Sequence, residues 1–484
     1  MNEQSIKIKN LDLSFGNKDL FKVDELSAYT NDRIAIVGDN GKGKSTLLKV
    51  IAGEHPEYEA CIERHTDFNY LPQIGELDQS VDNTLDFELL SRMNVPDNEQ
   101  LSGGEETKFR LVKILSDYRL GLLLDEPTTH IDTEGIKLLI KELEYYYGTL
   151  IFVSHDRHFI NSLATKIWEI DDGSIREYHG SYDDYESQKQ IEQLEQERQY
   201  EQYMNEKKRL EAAEEKQLRK AEKMNHVDKR SRDDIRPSRL EGTKSKETVQ
   251  KQVYKKAKHI EKRISQMEEV KQPKTERELI FPISKLVELH NNFPVMAQDF
   301  TLKRGDKVLL DSVSFQFPLS KKIAVTGGNG TGKSSLLQEI IEQNRAFTIS
   351  PKVRIEVYEQ MSYKMNSNDS IVRYLMRHTD FTEPLVRSML VKLGFSNDEV
   401  MKPVNVLSGG EATRVSLALL FVKRSNVIIL DEPTNFIDLK TIQALEAFIG
   451  AYQGTVIFTS HDKYFVERTA DEIYEIINQT LIKH

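Results

Sequence analysis

Cysteine is nearly absent from these 484 residues. Cys61 is the only one, which excludes an internal disulfide and any cysteine metal cluster and fits a reducing compartment. Long hydrophobic runs are missing too: nothing approaches the ~18 uninterrupted apolar residues of a membrane-spanning helix. Residues Met1 to Asn10 mix Glu and Lys into their apolar positions where a secretory signal would carry a hydrophobic core. A cytoplasmic chain without membrane spans is expected. Positive charge is also in deficit, with a net charge of −11, which argues against a nucleic-acid partner spread over the whole surface. What is present, 38% hydrophobic and 30% charged residues over this length, suits a globular protein of two or three domains.

The charge deficit is uneven. Between Glu206 and Arg263 stand 20 Lys and Arg against 11 Asp and Glu, a local excess of +9 that leaves −20 for the remainder. Such an insert reads either as a phosphate-binding element or as a solvated charged helix.

The chain repeats itself. The segment from Ile34 to Lys49 recurs from Ile323 to Gln338, 289 positions on. LSGGE at Leu101 to Glu105 recurs at Leu407 to Glu411, LLLDEPT at Leu122 to Thr128 recurs at Ile428 to Thr434, and VSHD at Val153 to Asp156 recurs at Thr459 to Asp462, each 306 positions on. Four matches in one order define two copies of one module, the second 17 residues longer between its first two motifs. Within a module, short apolar runs alternate with helical patterns, which predicts α/β architecture. Strands are expected at Arg33–Val37, Leu120–Leu124 and Thr149–Val153, and helices at Lys44–Ala52 and Gly103–Leu115.

Between the modules the sequence turns long, polar and helical. Ile191 to Met224 lacks Gly and Pro and shows a broken apolar stripe at Ile191, Leu194, Tyr203, Leu210, Leu218 and Ala221. Val253, Ala257, Ile260, Ile264 and Met267 step by 4, 3, 4 and 3, a coiled-coil seam. His226 to Lys246, with Pro237 and Gly242, is expected to turn between two antiparallel helices. The organisation read from this is 1–181 for the first module, 182–283 for a basic helical linker with its tip near 225–246, and 284–484 for the second module.

Gly38 to Ser45 and Gly327 to Ser334 both fit G-x-x-x-x-G-K-[ST] between a strand and a helix. Glycines let backbone N–H groups approach phosphate oxygens, and the helix N-terminus adds positive potential. Lys44 and Lys333 are placed to reach terminal phosphates, and Ser45 and Ser334 to ligate Mg2+. The rest of each nucleotide pocket comes from Asn40, Gly41, Gly43 and Thr46 in one copy and from Asn329, Gly330, Gly332 and Ser335 in the other. Asp125 with Glu126, and Asp431 with Glu432, each end an apolar strand. The Asp is assigned to Mg2+ through water and the Glu to the attacking water as general base. His155 and His461, each 30 positions after the Asp, are assigned to the γ-phosphate.

LSGGE together with these loops resembles the ATP-binding cassette (ABC) class. That resemblance implies two tandem P-loop ATPase domains that meet head to tail and bind ATP and Mg2+. Ser408, Gly409 and Gly410 would then close over nucleotide on Lys44, while Ser102, Gly103 and Gly104 would close over nucleotide on Lys333. Gln73 and Gln360 match the Gln loop that senses Mg2+ and water, and Asp132 and Asp438 match the loop after the catalytic Glu. Phe15 matches the adenine-stacking aromatic, and its aligned partner in the second module is Arg304.

Tandem cassettes, DEPT followed by THID or NFID, VSHDRHFIN and GSYDDYESQK before a charged linker resemble the ABC-F group over nearly the whole chain. This implies an ATPase that binds the ribosome, with rRNA and tRNA near the E and P sites as partners. It would act as a monomer containing an intramolecular cassette dimer, with no membrane and no obligate subunit. The linker resembles the antibiotic-resistance branch, which frees the ribosome of drugs at the peptidyl-transferase centre or exit tunnel; a housekeeping translation factor and a transporter ATPase are the competing readings. With a short segment after His461, ribosome contacts are expected to fall to the linker and cassette surfaces. From His226 to Val253 there is no aromatic residue, so Arg230, Arg232, Arg236, Arg239, Lys244 and Lys246 are expected to make salt-sensitive phosphate contacts. Val227, Ile235 and Leu240 either enter a ribosomal pocket or pack the turn.

Overall fold

The computed structural model describes residues 3–15, 18–73, 85–93, 95, 103–129, 131, 133–227, 246–270, 289, 291–305, 307–358, 365–435 and 437–484. The chain divides into two compact units, Met1–Tyr185 with Arg277–His484, and Glu186–Glu276.

The first cassette opens with the antiparallel pair β1 (Gln4–Phe15) and β2 (Lys18–Tyr29). It continues through β3 (Arg33–Gly38), α1 (Lys44–Ala52), β4 (Ile62–Arg64), β5 (Phe68–Leu71), α2 (Phe87–Arg92), α3 (Gly103–Ser116) and β6 (Gly121–Asp125). Then follow α4 (Thr133–Glu144), β7 (Thr149–Val153), α5 (Arg157–Leu163), β8 (Lys166–Asp171) and β9 (Ser174–His179). The strands form one sheet in the order β4-β1-β2-β9-β8-β3-β7-β6-β5. Its heart, from β8 to β5, is parallel. Every residue of β6 and β7 is buried, because helices cover both faces of a parallel sheet and favour unbroken Leu, Ile, Phe and Val runs. Such sheets bind ligands beyond the carboxyl ends of their strands; the loops after β3, β6 and β7 leave from that end. The expected strands and helices agree with these elements to within a residue.

In the second unit, α6 (Tyr182–Val227) is followed by α7 (Lys246–Ser265). The apolar stripe expected on α7 is its sheltered face. From Lys251 to Glu269 only Val253, Ala257, Ile260, Ile264 and Met267 are sheltered from solvent. The α6 stripe holds in part: Tyr203 and Leu210 are sheltered, whereas Ile191, Leu194 and Leu218 are exposed. Its sheltered face includes Tyr200, Tyr203, Lys207, Leu210, Glu214 and Gln217, and long polar side chains lay their stems along such a face while their heads stay in water. Lys207 sits 5.9 Å from the Tyr203 ring centre. Glu206 pairs with Arg263 at 3.4 Å. Leu210 of α6 and Ala257 of α7 are both buried. The side chains of Val227 and Lys246, and residues 228–245, which hold the predicted tip, Ile235 and Leu240 included, lie outside the described residues, as does the side chain of Ala221.

The second cassette repeats the first with β10 (Val295–Arg304), β11 (Lys307–Phe317), β12 (Lys322–Gly327), α8 (Lys333–Ile341), β13 (Phe347–Ile349) and β14 (Ile355–Tyr358). Next come α9 (Ile371–Met376), α10 (Glu383–Lys392), α11 (Gly409–Val422), β15 (Val427–Leu430), α12 (Leu439–Ala451), β16 (Thr455–Thr459), α13 (Lys463–Thr469), β17 (Glu472–Ile477) and β18 (Thr480–Lys483). The main sheet runs β14-β15-β16-β12-β17-β18, and β11-β10-β13 form a separate sheet. The longer spacing between motifs is occupied by α9 and α10, where the described part of the first cassette has α2 alone.

Each cassette keeps one apolar cluster between its phosphate-loop helix and its antiparallel strands, around Leu47 and Ile51 in one and Leu336 and Ile340 in the other. A third cluster continues from cassette to cassette and includes Phe159 of α5 and Phe465 of α13. Among the described residues no helix is long and apolar enough to cross a membrane.

Candidate active sites

Both phosphate loops are built on left-handed glycines. Gly38 has φ 149° and a Cβ there would stand 2.7 Å from the Ile170 carbonyl oxygen, while Gly43, at φ 98°, would drive one to 2.9 Å from Leu20. A backbone oxygen excludes a side chain at Gly38, and the left-handed φ disfavours one at Gly43. Lys44 Nζ donates to the carbonyls of Gly38 at 2.7 Å and Asp39 at 3.1 Å, and Lys333 Nζ donates to Gly327 and Gly328, both at 3.0 Å. Burial lowers the proton affinity of both lysines, opposed chiefly by Glu126 for Lys44 and by Glu432 for Lys333. Asn40, Gly41, Asn329 and Gly330 form exposed loop tips. Ser45 and Thr46 lie in the first turn of α1, and Ser334 and Ser335 in that of α8. Gly332 closes the second loop at φ 107°.

The strand ends after β6 and β15 deliver a strained acid. Glu126 has φ 51° and Glu432 φ 46°, a left-handed conformation that costs a non-glycine residue about 1–3 kcal/mol and tends to mark functional positions. Glu126 N donates to Val153 O, and Glu432 N to Thr459 Oγ1, both at 2.9 Å. His155 N donates to Glu126 Oε2 at 3.2 Å, and His461 N to Glu432 Oε2 at 3.2 Å. The imidazole Nε2 lies 3.3 Å from Glu126 Oε1 in the first site and 3.1 Å from Glu432 Oε1 in the second.

The histidines are held by local structure that the two cassettes share. Asp156 caps α5 by accepting from Phe159 N, and Asp462 caps α13 by accepting from Phe465 N, each at 3.0 Å. Phe152 meets Phe159, and Phe458 meets Phe465, edge to face at 5.3 Å. Each such cap and ring pair contributes on the order of 1 kcal/mol and orients the turn that carries the histidine.

Burial raises Glu126 to about 7 against the pull of Lys44, and raises Glu432 to about 7 against that of Lys333. Burial, with Lys44 adding to it, lowers His155 to about 3, so its imidazole is neutral at pH 7. Burial also raises Asp125, while Ser45 and Lys44 draw it down. The two sites differ in detail: Asp431 Oδ1 accepts from Ser334 Oγ at 3.1 Å and from Thr459 Oγ1 at 2.6 Å.

These donors suit a hard divalent cation. Asp125 Oδ1 is buried without a hydrogen-bond partner among the described residues, and Glu126 Oε1 is buried facing the His155 imidazole at 3.3 Å. Each site pairs one hydroxyl with one carboxylate, Ser45 with Asp125 and Ser334 with Asp431. No described group of three His, Cys, Asp or Glu side chains is arranged to hold a metal alone, so phosphate and water would complete the shell, as suits Mg2+.

The second cassette reaches the first phosphate loop. Asp438 caps α12 by accepting from Thr441 N at 2.8 Å and accepts from Asn40 N at 3.1 Å. Burial works against its charge, but these bonds prevail and hold its carboxyl below the usual range. Lys440 pairs with Asp39 at 3.0 Å and with Asp171 at 3.5 Å. Arg157, wholly buried, bonds to Glu446 and to Asp462, and Tyr464 Oη donates to Asp183 at 3.2 Å. Of these residues the sequence points only to Asp438 and Asn40. A usable signal was the 306-position offset, which sets Arg157 against Lys463 and Lys440 against Glu134.

The remaining expected residues are placed unevenly. Ser408 caps α11 in a capping box with Glu411, and Gly409 and Gly410 open that helix with free space where a Cβ would lie. Gly103 and Gly104 open α3. Gln73 is exposed just after β5. Arg304 Nε donates to Ser335 Oγ at 3.3 Å, beside the second phosphate loop. Ser102, Asp132, Gln360 and the side chain of Phe15 lie outside the described residues.

Two strand-to-helix phosphate loops, each followed by an Asp-Glu pair with a strained glutamate and by a capped histidine turn, define a twin-cassette ATPase of the ATP-binding cassette class. The profile of the ABC transporter family matches residues 21–76 and 310–435. The erythromycin resistance ATP-binding protein MsrA of Staphylococcus epidermidis is 42% identical over 99% of both chains. The ribosome protection protein VmlR of Bacillus subtilis (strain 168) is 31% identical over 99% of this chain and 88% of its own. Among solved structures, the RNase-L inhibitor shares the fold, with a TM-score of 0.57 at 17% identity over 92% of this chain and 83% of that one. The chain belongs to the ABC-F family of tandem-cassette ATPases, in its antibiotic-resistance branch.

Proposed function

We propose that this ATPase binds the ribosome and protects it from antibiotics acting at the peptidyl-transferase centre or exit tunnel, displacing the drug through the linker between its cassettes. The observation that carries this reading is the full-length similarity to a protein named for erythromycin resistance. A separate two-helix unit, Glu186–Glu276, supports it. The working organisation is cassettes at 1–181 and 284–484 with the linker at 182–283, acting as a monomer whose partners are rRNA and tRNA near the E and P sites.

ATP acts as the glue between half-sites. Lys44, the loop N–H groups and Thr46 hold one nucleotide, with Ser408 and Gly410 closing over it. Lys333 and Ser335 hold the other under Ser102 and Gly104. Glu126 and Glu432 accept the proton of the attacking water, and their raised proton affinity sets them near titration at neutral pH, where a general base works best. His155 and His461 orient those carboxylates and face the γ-phosphate. When bound through Ser45 and Asp125 or Ser334 and Asp431, Mg2+ neutralises charge on the transferring phosphate.

The deciding experiment is drug susceptibility in a host lacking the gene and then regaining it. Protection lost and restored with the gene supports this reading. Unchanged susceptibility with impaired translation would replace it by a housekeeping translation factor, and copurification with a membrane transporter would replace both.

A further inference from the structure

The two catalytic glutamates are joined by a short bonded path across the cassette interface. Glu126 Oε2 accepts from His155 N at 3.2 Å, two residues before Arg157. Arg157 Nη2 donates to Asp462 Oδ2 at 3.2 Å. Asp462 follows His461, whose N–H donates to Glu432 Oε2 at 3.2 Å. Arg157 also bonds to Glu446 of α12, and its guanidinium lies 5.7 Å from the Tyr464 ring centre.

This guanidinium is fully buried, so it cannot exchange its carboxylates for water, and removing either side leaves an uncompensated buried charge. Asp462 caps α13 while bonded to Arg157. A shift of the His155 turn therefore pulls on the His461 turn. The bridge has no symmetry mate of the same kind: 306 positions away, Lys463 replaces Arg157 and is exposed, and Ile140 replaces Glu446. Nε and Nη1 of Arg157 find no hydrogen-bond partner among the described residues, which leaves donors with which to follow its acceptors when the jaw moves.

We propose that Arg157 is a positioning residue that couples the two ATP sites, transmitting the state of the Glu126–His155 turn to the His461–Glu432 turn. The inference rests on the reading of both glutamates as general bases. Coupling between sites is commonly 5- to 150-fold, roughly, so it is measurable as a double-mutant cycle.

The test uses the full purified chain and its ATP turnover. In the parent, Glu432→Gln is expected to lower total turnover fivefold or more, roughly, beyond the share of one site. In Arg157→Met the same substitution should remove only its own share, about twofold if the sites turn over equally. Arg157→Lys, which keeps the charge with a shorter reach, should fall between. Should Arg157→Met melt too low to assay, Glu446→Gln on the opposite cassette carries the same expectation of partial uncoupling. An equal fold-effect of Glu432→Gln in parent and Arg157 or Glu446 variants overturns the inference, as does a parent in which that substitution removes one site's share alone. Turnover that survives both Glu126→Gln and Glu432→Gln overturns the catalytic reading beneath it instead.

Discussion

Asp438, in the second cassette, accepts a 3.1 Å hydrogen bond from the backbone N–H of Asn40, in the phosphate loop of the first. The same carboxylate caps α12, so one side chain both starts a helix and sets a loop tip 398 residues away. Asp438→Ala is expected to cost about 1 kcal/mol for the lost cap and to lower ATP turnover about tenfold, the size of a lost charge-assisted bond near the reacting phosphate. Asp438→Asn keeps an oxygen for the cap and should lose less stability. Melting curves and steady-state turnover separate the two effects; turnover unchanged in Asp438→Ala would reduce this residue to a helix cap.

Glu126→Gln with Glu432→Gln keeps the shape of both strained turns and removes both proposed bases. Turnover should fall by about 100-fold or more while ATP binding is retained, and the chain should stay on ribosomes once ATP has closed it. Sedimentation with ribosomes before and after ATP exchange measures this. Release as fast as the parent's would show that hydrolysis does not open the jaw.

The raised glutamates give the enzyme a pH signature. With both carboxyls pushed up to about 7 by burial, the base form is lost as pH falls below that point. The kcat/KM for ATP should climb about tenfold per pH unit on the acid side and level off above about 7. The same shift has a sign in stability. Carboxyls whose folded-state pKa is raised stabilise the fold fully below 4.5, and that contribution disappears as pH rises through about 7. The doubly Gln-substituted chain should therefore melt higher than the parent at pH 8, by a margin that narrows toward pH 5. A margin that grows toward acid would contradict the burial argument.

Deleting residues 228–239 removes part of the predicted linker tip, which carries Arg230, Arg232, Arg236 and Arg239. None of the groups assigned to ATP lies there, so turnover should match the parent while drug protection disappears. If phosphate pairing dominates ribosome binding, the deletion should also flatten its dependence on salt, by about one unit of logarithmic slope for each phosphate no longer neutralised. Protection that outlasts the deletion would move the effector elsewhere in the chain.

Local motifs were legible because their physics is local. Gly38 and Gly43 are required by the left-handed turn of backbone that leads into Lys44, and β3, β6 and β7 announce themselves by apolar runs that only a doubly covered sheet tolerates. On α7 the seam could be read because its sheltered residues are Val, Ala, Ile and Met. On α6 only Tyr203 and Leu210 report it, because Lys207, Glu214 and Gln217 also occupy sheltered positions and contribute stems that an apolar periodicity does not register. The left-handed backbone of Glu126 and Glu432 had no sequence signal, since strain there is imposed by the sheet and the histidine turn. The ties Lys440 to Asp39 and Arg157 to Glu446 were invisible for another reason: they join modules nearly 300 residues or more apart, and no periodicity within one module reports them.

Closure over nucleotide can be caught directly. Ser408 opens α11 as its capping residue, and Asn40 is an exposed tip of the opposing loop. With Cys61 replaced by Ala, Ser408→Cys and Asn40→Cys supply the only two thiols of the chain. In the Glu126→Gln, Glu432→Gln background, ATP should bring Ser408 over the Lys44 site and hold it there. A short bis-maleimide should then join the two cysteines at least about tenfold faster with ATP than with ADP, since an effective concentration near millimolar within one chain requires the ends to meet. Omitting divalent cation should remove most of that gain if Ser45 and Asp125 hold Mg2+ against the phosphates. Equal rates with ATP, with ADP and without nucleotide would mean that the two half-sites do not close on ATP, and the jaw assigned to this interface would have to be abandoned.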